Sequence, residues 1–190
     1  MTSEQFIPSL DSDPGPWQHS ASDPGLGWVA QRLAVSGERS RLVQEALDTL
    51  RIALAIDRVV LYSLANPRGT RSWRGQVTAE SLVDPSLSIL GTTGVDNCFG
   101  DSHGRPYLQG QVHAIADTAI AELHPCHRSF LQNLHVRASM VAPILLQQRL
   151  WGLLVVHHCK APYLWSAVDI ATLSQMAHEL SQVNTLQRHR

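Results

Sequence analysis

The chain has 190 residues, a length typical of one domain with a tail, and it can bury a substantial core. Its residues are 44% hydrophobic and 16% charged, with a formal net charge of -1. This balance excludes a protein that binds nucleic acid through strong positive charge. The sequence shows neither a basic region followed by an apolar core at its start nor a run of roughly 18–20 apolar residues. We therefore expect a cytoplasmic domain without membrane contact.

The chain has three cysteines, Cys98, Cys126 and Cys159, which are too few and too widely spaced for a disulfide framework. No Cys-X-X-Cys pair suggests structural zinc, so we expect reduced thiols and no metal. Asp96 lies two residues before Cys98, and His127 directly follows Cys126. Because the thiolate is the reactive form of cysteine, these two thiols are the candidates for chemistry. Cys159 ends a predicted strand and is interpreted as structural.

The first part of the chain has the composition of a tail. Residues 1–27 are rich in Ser, Asp, Pro and Gly and show little apolar periodicity. We predict a flexible tail or linker there, followed by one domain over 28–190. The first clear helix is predicted over 38–55, with Ser36 or Gly37 as its cap. Apolar residues at three- and four-residue steps should form its buried face: Leu42, Ala46, Leu50, Ala53 and Leu54.

Strand patterns follow this helix. Runs rich in β-branched and aromatic residues, bounded by turn signals, predict strands over 58–64, 73–82, 112–117, 136–146 and 150–158. Residues 86–111 form a long, glycine-punctuated loop, and a loop of this length usually carries function. Pro125 favours a helix that begins near Cys126, and a closing amphipathic helix is predicted over 165–187.

This order of elements predicts the α+β class. Adjacent strands joined by short turns imply a central antiparallel sheet of five to six strands. We expect the two terminal helices to pack on one face of that sheet. The long loop and the middle helix should lie over the other face, where they could enclose a ligand.

Several segments resemble bilin-binding GAF domains. The stretches 110–117 and 137–145, the sequence Pro125-Cys126-His127, and the strand Leu-Trp-Gly-Leu-Leu-Val-Val-His-His-Cys that ends at Cys159 carry this resemblance. Asp96-Asn97-Cys98-Phe99 resembles the Asp-X-Cys-Phe motif of the dual-cysteine cyanobacteriochromes, which are phytochrome-related photoreceptors of cyanobacteria. The resemblance extends over nearly the whole predicted domain.

The resemblance implies a GAF fold with a linear tetrapyrrole cofactor, phycocyanobilin or phycoviolobilin. It implies that Cys126 joins ring A by a lasting thioether and that Cys98 adds reversibly to the central methine carbon. It implies that Asp96 faces the pyrrole nitrogens and that His127 packs against the pyrroles. Isomerisation of the methine bridge to ring D would then convert a blue-absorbing form, which holds both thioethers, into a longer-wavelength form.

Three further residues are candidates for contact with the chromophore. Phe99 and Tyr107 would pack on it or belong to the ordinary core. His157 matches a strand histidine of the family that can point at the pocket, and a satisfied core histidine is the alternative. We interpret Trp151 and Trp165 as packing residues, since aromatic side chains at sheet or helix spacing usually are.

The resemblance implies a photosensory module that is not an enzyme, apart from self-catalysed attachment and isomerisation of its chromophore. No kinase or cyclase motif is present, so the signal is expected to reach an output module such as a histidine kinase. The terminal helices could support a homodimer. Two alternatives remain open: an unpigmented GAF domain that binds a small metabolite or cyclic nucleotide, and a thiol enzyme or zinc site built on Cys126 and His127.

Overall fold

A computed structural model of the chain describes residues 24–65, 74–93 and 104–182. The helices of this part are α1 (Pro24–Ala53), α2 (Gly104–Leu108), α3 (Pro125–Asn133) and α4 (Ala167–Gln182). The strands are β1 (Arg58–Ala65), β2 (Arg74–Leu82), β3 (His113–Ile115), β4 (Ala138–Leu146) and β5 (Arg149–His158). The chain divides into two compact units, 1–36 and 37–190, and all five strands belong to the second.

Helix α1 differs from the predicted first helix in its start and in its buried face. It begins at Pro24, so the predicted caps Ser36 and Gly37 lie inside the helix. Each costs no more than about 1 kcal/mol relative to alanine, too little by itself to end a helix. Leu42 is 43% exposed and Ala53 is also exposed. The buried positions recur at steps of four, three and four residues: Val43, Leu47, Leu50 and Leu54.

The five strands form one sheet in the order β2-β1-β5-β4-β3, with every neighbouring pair antiparallel. This confirms the predicted antiparallel sheet. Strand β4 is interior, yet β3 pairs with it only as far as Val141. Pro143 lies beyond that point, so its missing N–H removes no bond of the β3–β4 ladder. The β4–β5 register shifts close to Pro143, between Ile144 and Leu145.

The two faces of the sheet have different partners. Helices α1 and α4 pack on the first face, as predicted, and their buried side chains share one core with Val59, Met140 and Leu154. In the middle of β5, alternate residues enter opposite faces, and all of 152–157 is buried. The second face carries a separate apolar cluster built on Val60, Tyr62, Val77, Leu150, Leu153 and Val155. This second face carries the candidate site.

The central strands approach each other closely at Gly152. A Cβ at this position would lie 2.5 Å from the backbone oxygen of Tyr62, so a larger residue forces β5 away from β1. We expect Gly152→Ala to lower the free energy of unfolding by about 1–3 kcal/mol. Urea unfolding followed by far-UV circular dichroism measures this loss.

Gly37 supplies the matched control because it lies inside α1 and nothing surrounds its Cβ direction within 4 Å. Gly37→Ala should raise the free energy of unfolding by about 0.5–1 kcal/mol, since alanine loses less backbone entropy in a helix. Equal midpoints for the two variants would contradict the close approach of the strands at Gly152.

Candidate functional site

The second face of the sheet is organised in three rows that cross the strands. We call them the polar row, the middle row and the apolar row. The polar row consists of Ile115, Ser139, His157, Arg58 and Leu82. The middle row consists of His113, Val141, Val155, Val60 and Glu80. The apolar row consists of Pro143, Leu153, Tyr62 and Val77.

The outer rows are covered and part of the middle row is open. Ile115 of the polar row packs with Leu131 and Val136, which brings α3 over that row. At the other side Tyr107 of α2 packs against the apolar cluster. Between them His113 is exposed and Val141 is only half-buried. The other two valines of this row, Val60 and Val155, are buried. We call the open end of the row, at His113 and Val141, the gap.

Helix α3, which packs over the adjacent polar row, carries Cys126 and His127 in its first turn. The helix begins with Pro125 at its first position, and the Nδ1 of the preceding His124 accepts a hydrogen bond from the Cys126 N–H at 3.3 Å. His127 lies one turn before the buried Leu131, on the side of α3 that faces the sheet. Both Cys126 and His127 are half-buried.

The predicted site residues Asp96, Cys98 and Phe99 lie outside the described residues, but the chain leading to them is anchored. The N–H of Gly91 donates to the Val77 oxygen, and the N–H of Val77 donates to the Thr92 oxygen, both at 3.0 Å. Thr93 also pairs with Gln76. The segment 89–93 therefore runs along the outer edge of β2. Five residues span at most about 18 Å, which limits how far the Cys98 backbone can lie from Thr93.

Helix α2 anchors the other end of the same loop. The long loop was predicted to be irregular, but it contains this helix and a one-turn 3-10 helix, Pro85–Leu87. Burial raises the pKa of Tyr107 to about 12, so its hydroxyl keeps its proton at neutral pH. Tyr107 is thus part of the ordinary packing of the second face and also borders the gap. Both roles considered for it from the sequence fit this position.

His157 lies in the polar row and is buried. Its Nδ1 accepts a hydrogen bond from Nε of the equally buried Arg58 at 3.1 Å. Burial lowers the pKa of His157 well below its usual range, and the nearby guanidinium lowers it further. The ring is therefore neutral. Since Nδ1 is an acceptor, we assign the remaining proton to Nε2.

This arrangement predicts how stability depends on pH. His157 is protonated near pH 6.5 in the unfolded chain, but only at much lower pH in the folded chain. Below about pH 6.5 the unfolded state therefore binds more protons, and the free energy of unfolding falls as the pH falls. The lowered pKa of His158, caused first by burial, acts in the same direction. We expect the pigment-free protein to melt at a lower temperature at pH 5.5 than at pH 8.

The slope of melting temperature against pH identifies the group. His157→Gln should flatten the slope, because a glutamine at this position does not titrate. His178→Gln changes an exposed histidine of α4 and should leave most of the slope in place. A His157→Gln protein with the unchanged slope would contradict the assignment of this effect to His157.

Two arginines bind the loop between β3 and α3, and sequence patterns did not predict this role for either of them. The guanidinium of Arg128 on α3 donates to the carbonyl oxygens of Thr118 at 3.0 Å, Ala119 at 2.8 Å and Ala121 at 2.6 Å. Arg137 pairs with Asp117 at 3.1 Å. These contacts hold the start of α3 against the sheet. Arginines that bind loop carbonyls have no spacing signature, which is why sequence patterns do not reveal them.

His124 was also missed, although a signal for it exists. Proline is common at the first position of a helix, so Pro125 marks the preceding residue as the N-cap. Histidine is not a usual cap, and its role became visible only through the bond to the Cys126 N–H. The residue therefore helps to define the start of the helix that carries Cys126.

The fold and a family comparison together define the class of the protein. The sequence model of the GAF domain family matches residues 38–183, and the chain belongs to this family. The predicted GAF fold is thereby confirmed. Across the ranges that the structure describes, no helix is both long and apolar enough to span a bilayer.

Two relatives are similar to this chain over most of its length. An uncharacterized protein of Picosynechococcus sp. is 41% identical over 159 residues, which cover 84% of this chain and 94% of the relative. The circadian input-output histidine kinase CikA of Thermosynechococcus vestitus is 28% identical over 173 residues, which cover 86% of this chain and 23% of the kinase. This chain thus corresponds to nearly all of the first relative and to less than a quarter of the second.

Solved structures show the same architecture. The cyanobacteriochrome receptor PixJ matches with a TM-score of 0.70 at 29% identity, over 80% of this chain and 97% of that one. The blue-light absorbing form of the Thermosynechococcus elongatus PixJ GAF domain matches with a TM-score of 0.68 at 28% identity, over 79% and 89%. A phycocyanobilin-bound GAF domain from a cyanobacterial phytochrome matches with a TM-score of 0.66 at 27% identity, over 87% and 96%.

Proposed function

We propose that this chain is a photosensory module of the dual-cysteine cyanobacteriochrome type. It binds a linear tetrapyrrole, phycocyanobilin or phycoviolobilin, covalently through Cys126. It converts between a blue-absorbing form, with a second and reversible thioether from Cys98, and a longer-wavelength form. The observation that carries the proposal is the position of Cys126, at the first turn of a helix that packs over the polar row of the second sheet face.

The residues around the gap fit such a ligand. A bilin supplies a conjugated chain of four pyrrole rings, whose absorption moves to shorter wavelength when a thiol adds to the central methine carbon. Val141, the half-buried valine of the middle row, offers an apolar surface for flat rings. The neutral His157 offers an Nε2–H donor, and the half-buried His127 lies in the first turn of α3. A first-turn cysteine on a helix held by Arg128 gives the lasting bond a rigid base.

The reversible bond places a different demand on the protein. The thiol that forms it must approach and retreat, which suits a residue on a long connection better than one on a helix. Asp96 and Cys98 lie between Thr93, which pairs with β2, and α2, whose Tyr107 packs on the second face. One end of the connection thus lies at the outer edge of β2, and the other packs on the same apolar cluster as Val141. This supports contact of Cys98 with the ligand and of Asp96 with its pyrrole N–H groups.

The output of the module is also a proposal. We propose that the signal passes to another domain or partner, such as the kinase of a CikA-like protein, whose own length exceeds this domain about fourfold. The terminal helices lie on the face opposite the gap and could carry the change outward. We further propose a cytoplasmic location and no enzymatic turnover.

Co-expression with enzymes that make phycocyanobilin tests the function. The purified protein should be coloured, should change its absorption reversibly under blue light, and should keep its pigment after denaturation in acidic urea. A folded protein that stays colourless with pigment in excess would contradict the proposal. It would leave the alternative of an unpigmented GAF domain that binds a small metabolite or a cyclic nucleotide.

A further inference from the structure

Arg58 is a fully buried cation at the start of β1, and it joins three separate elements. Its side chain is among the largest that are buried, with 1% of the residue exposed. Its Nε donates to His157 Nδ1 on β5 at 3.1 Å, its Nη1 to the Leu87 oxygen at 2.6 Å and its Nη2 to the Leu134 oxygen at 2.9 Å. Leu134 caps the C-terminal end of α3, and Leu87 ends the 3-10 helix Pro85–Leu87.

The three hydrogen-bond acceptors of Arg58 among the described residues are all neutral. A buried cation bound by carbonyls and an imidazole gains less than one paired directly with a carboxylate, while its desolvation costs several kcal/mol. Such a residue is a poor source of stability. The guanidinium is planar, so its N–H donors hold their three acceptors in fixed directions relative to one another. These directions determine two features of the second face.

The first determined feature is the state of His157. A guanidinium nitrogen can only donate, so the Nδ1 that receives its hydrogen bond must carry a lone pair. This leaves the proton on Nε2 and fixes the orientation of the ring. His157 lies in the polar row, and Val155, two residues before it on β5, pairs with the half-buried Val141 of the gap. Arg58 thus presents a neutral donor of one defined tautomer on the face that holds the candidate site.

The second determined feature is the spacing of the two segments that lead to the cysteines. Leu134 lies eight residues after Cys126, about 12 Å along α3. Leu87 immediately precedes the segment in which Ile89 donates to the Glu80 carboxylate and which runs along β2 towards Cys98. The Arg58 side chain therefore binds two segments to β1: helix α3, which carries Cys126, and the 85–87 turn, which precedes the segment leading to Cys98.

We propose that Arg58 is a positioning residue of the chromophore pocket, which holds His157 as the Nε2–H tautomer and sets α3 and the 85–87 turn at fixed distances from it. This inference rests on the proposed function. Arg58 touches no reacting atom in this scheme and acts through His157 and through the two carbonyls.

The first test needs no pigment. The ring nitrogens of His157 in the pigment-free protein, seen by ¹⁵N-labelled histidine NMR, should show a protonated Nε2 and an unprotonated Nδ1. Arg58→Lys retains a cation but places a single nitrogen there, which cannot supply the same fork, so the ring should become a mixture of tautomers. Arg51→Lys is the matched control, because Arg51 on α1 donates to Ser81 and does not touch His157.

The second test uses the pigmented protein. Arg58→Lys should still attach its pigment at Cys126, but its absorption maximum should shift and its yield of photoproduct should fall at least twofold. His157→Gln should produce the same shift, and the double variant should add nothing to it. Arg51→Lys should match the unaltered protein in both readouts.

Distinct results overturn the inference. An unaltered His157 tautomer together with unchanged spectra in Arg58→Lys would show that Arg58 is only a packing residue. Additive spectral shifts in the double variant would show that Arg58 does not act through His157. If Arg58→Lys does not fold, NMR of the unaltered protein still decides, because a charged or Nδ1-protonated His157 overturns the inference. A chain that takes up no pigment contradicts the proposed function, while the NMR experiment still tests the link between Arg58 and His157.

Discussion

Cys126→Ala is expected to abolish covalent attachment of the pigment. The proposed function assigns the lasting bond to this thiol alone. It stands at the first turn of α3, which His124 caps and Arg128 binds to the preceding loop. The fold should survive, because Cys126 is only half-buried and its truncation should cost about 1 kcal/mol or less. Absorbance at visible wavelengths, recorded in acidic urea after removal of unbound pigment, measures the loss.

Cys159→Ala is the matched control for this variant. Cys159 comes directly after the end of β5, where its N–H donates to the Asp57 carboxylate at 2.8 Å, and burial raises the pKa of its thiol. It is therefore a poor nucleophile, in agreement with the structural role expected from the sequence. Its variant should keep all of the pigment. Pigment that remains attached in Cys126→Ala but is lost in Cys159→Ala would refute the site.

Cys98→Ala is expected to keep the attached pigment and to lose the blue-absorbing form. The lasting bond at Cys126 is intact in this variant, whereas the second thiol is missing. Without it nothing interrupts the conjugated system, so the protein should absorb only at longer wavelengths. Absorption spectra before and after blue illumination measure this effect.

Two further proteins make the Cys98 experiment decisive. Cys159→Ala should show the unaltered pair of spectra. The Cys98→Ala protein should also keep the melting temperature of its parent, so that a spectral change cannot be assigned to unfolding. A blue-absorbing form that persists in Cys98→Ala would refute the reversible bond, while the attachment at Cys126 could still stand.

The framework of the fold was predictable because it depends on periodicity. Strands with alternating or fully apolar patterns, such as 150–158, are recognised from their local sequence, and the antiparallel order followed from their short turns. The predicted buried face of α1 was correct at Leu50 and Leu54 and wrong at Leu42 and Ala53, which are exposed. Leu42 and Val43 are both apolar, and only the docking of the helix on the sheet decides which of them is buried.

The candidate site was predictable only where its chemistry stands in the local sequence. Pro125 before Cys126 and His127 predicts that a helix begins at these residues, and α3 does begin there. Arg58 gave no such signal, because its partners His157, Leu87 and Leu134 come together only through the sheet and α3. Long-range hydrogen bonds of this kind depend on tertiary structure and have no sequence period.

The most direct test of the account is to trap the thiols in both light states. The pigmented protein is treated with an alkylating reagent in the dark and under blue light, digested, and analysed by mass spectrometry. We predict pigment on the Cys126 peptide in both states, with Cys98 protected in the blue-absorbing form and alkylated in the longer-wavelength form. Equal alkylation of Cys98 in the two states, or pigment on a peptide without Cys126, would contradict the account.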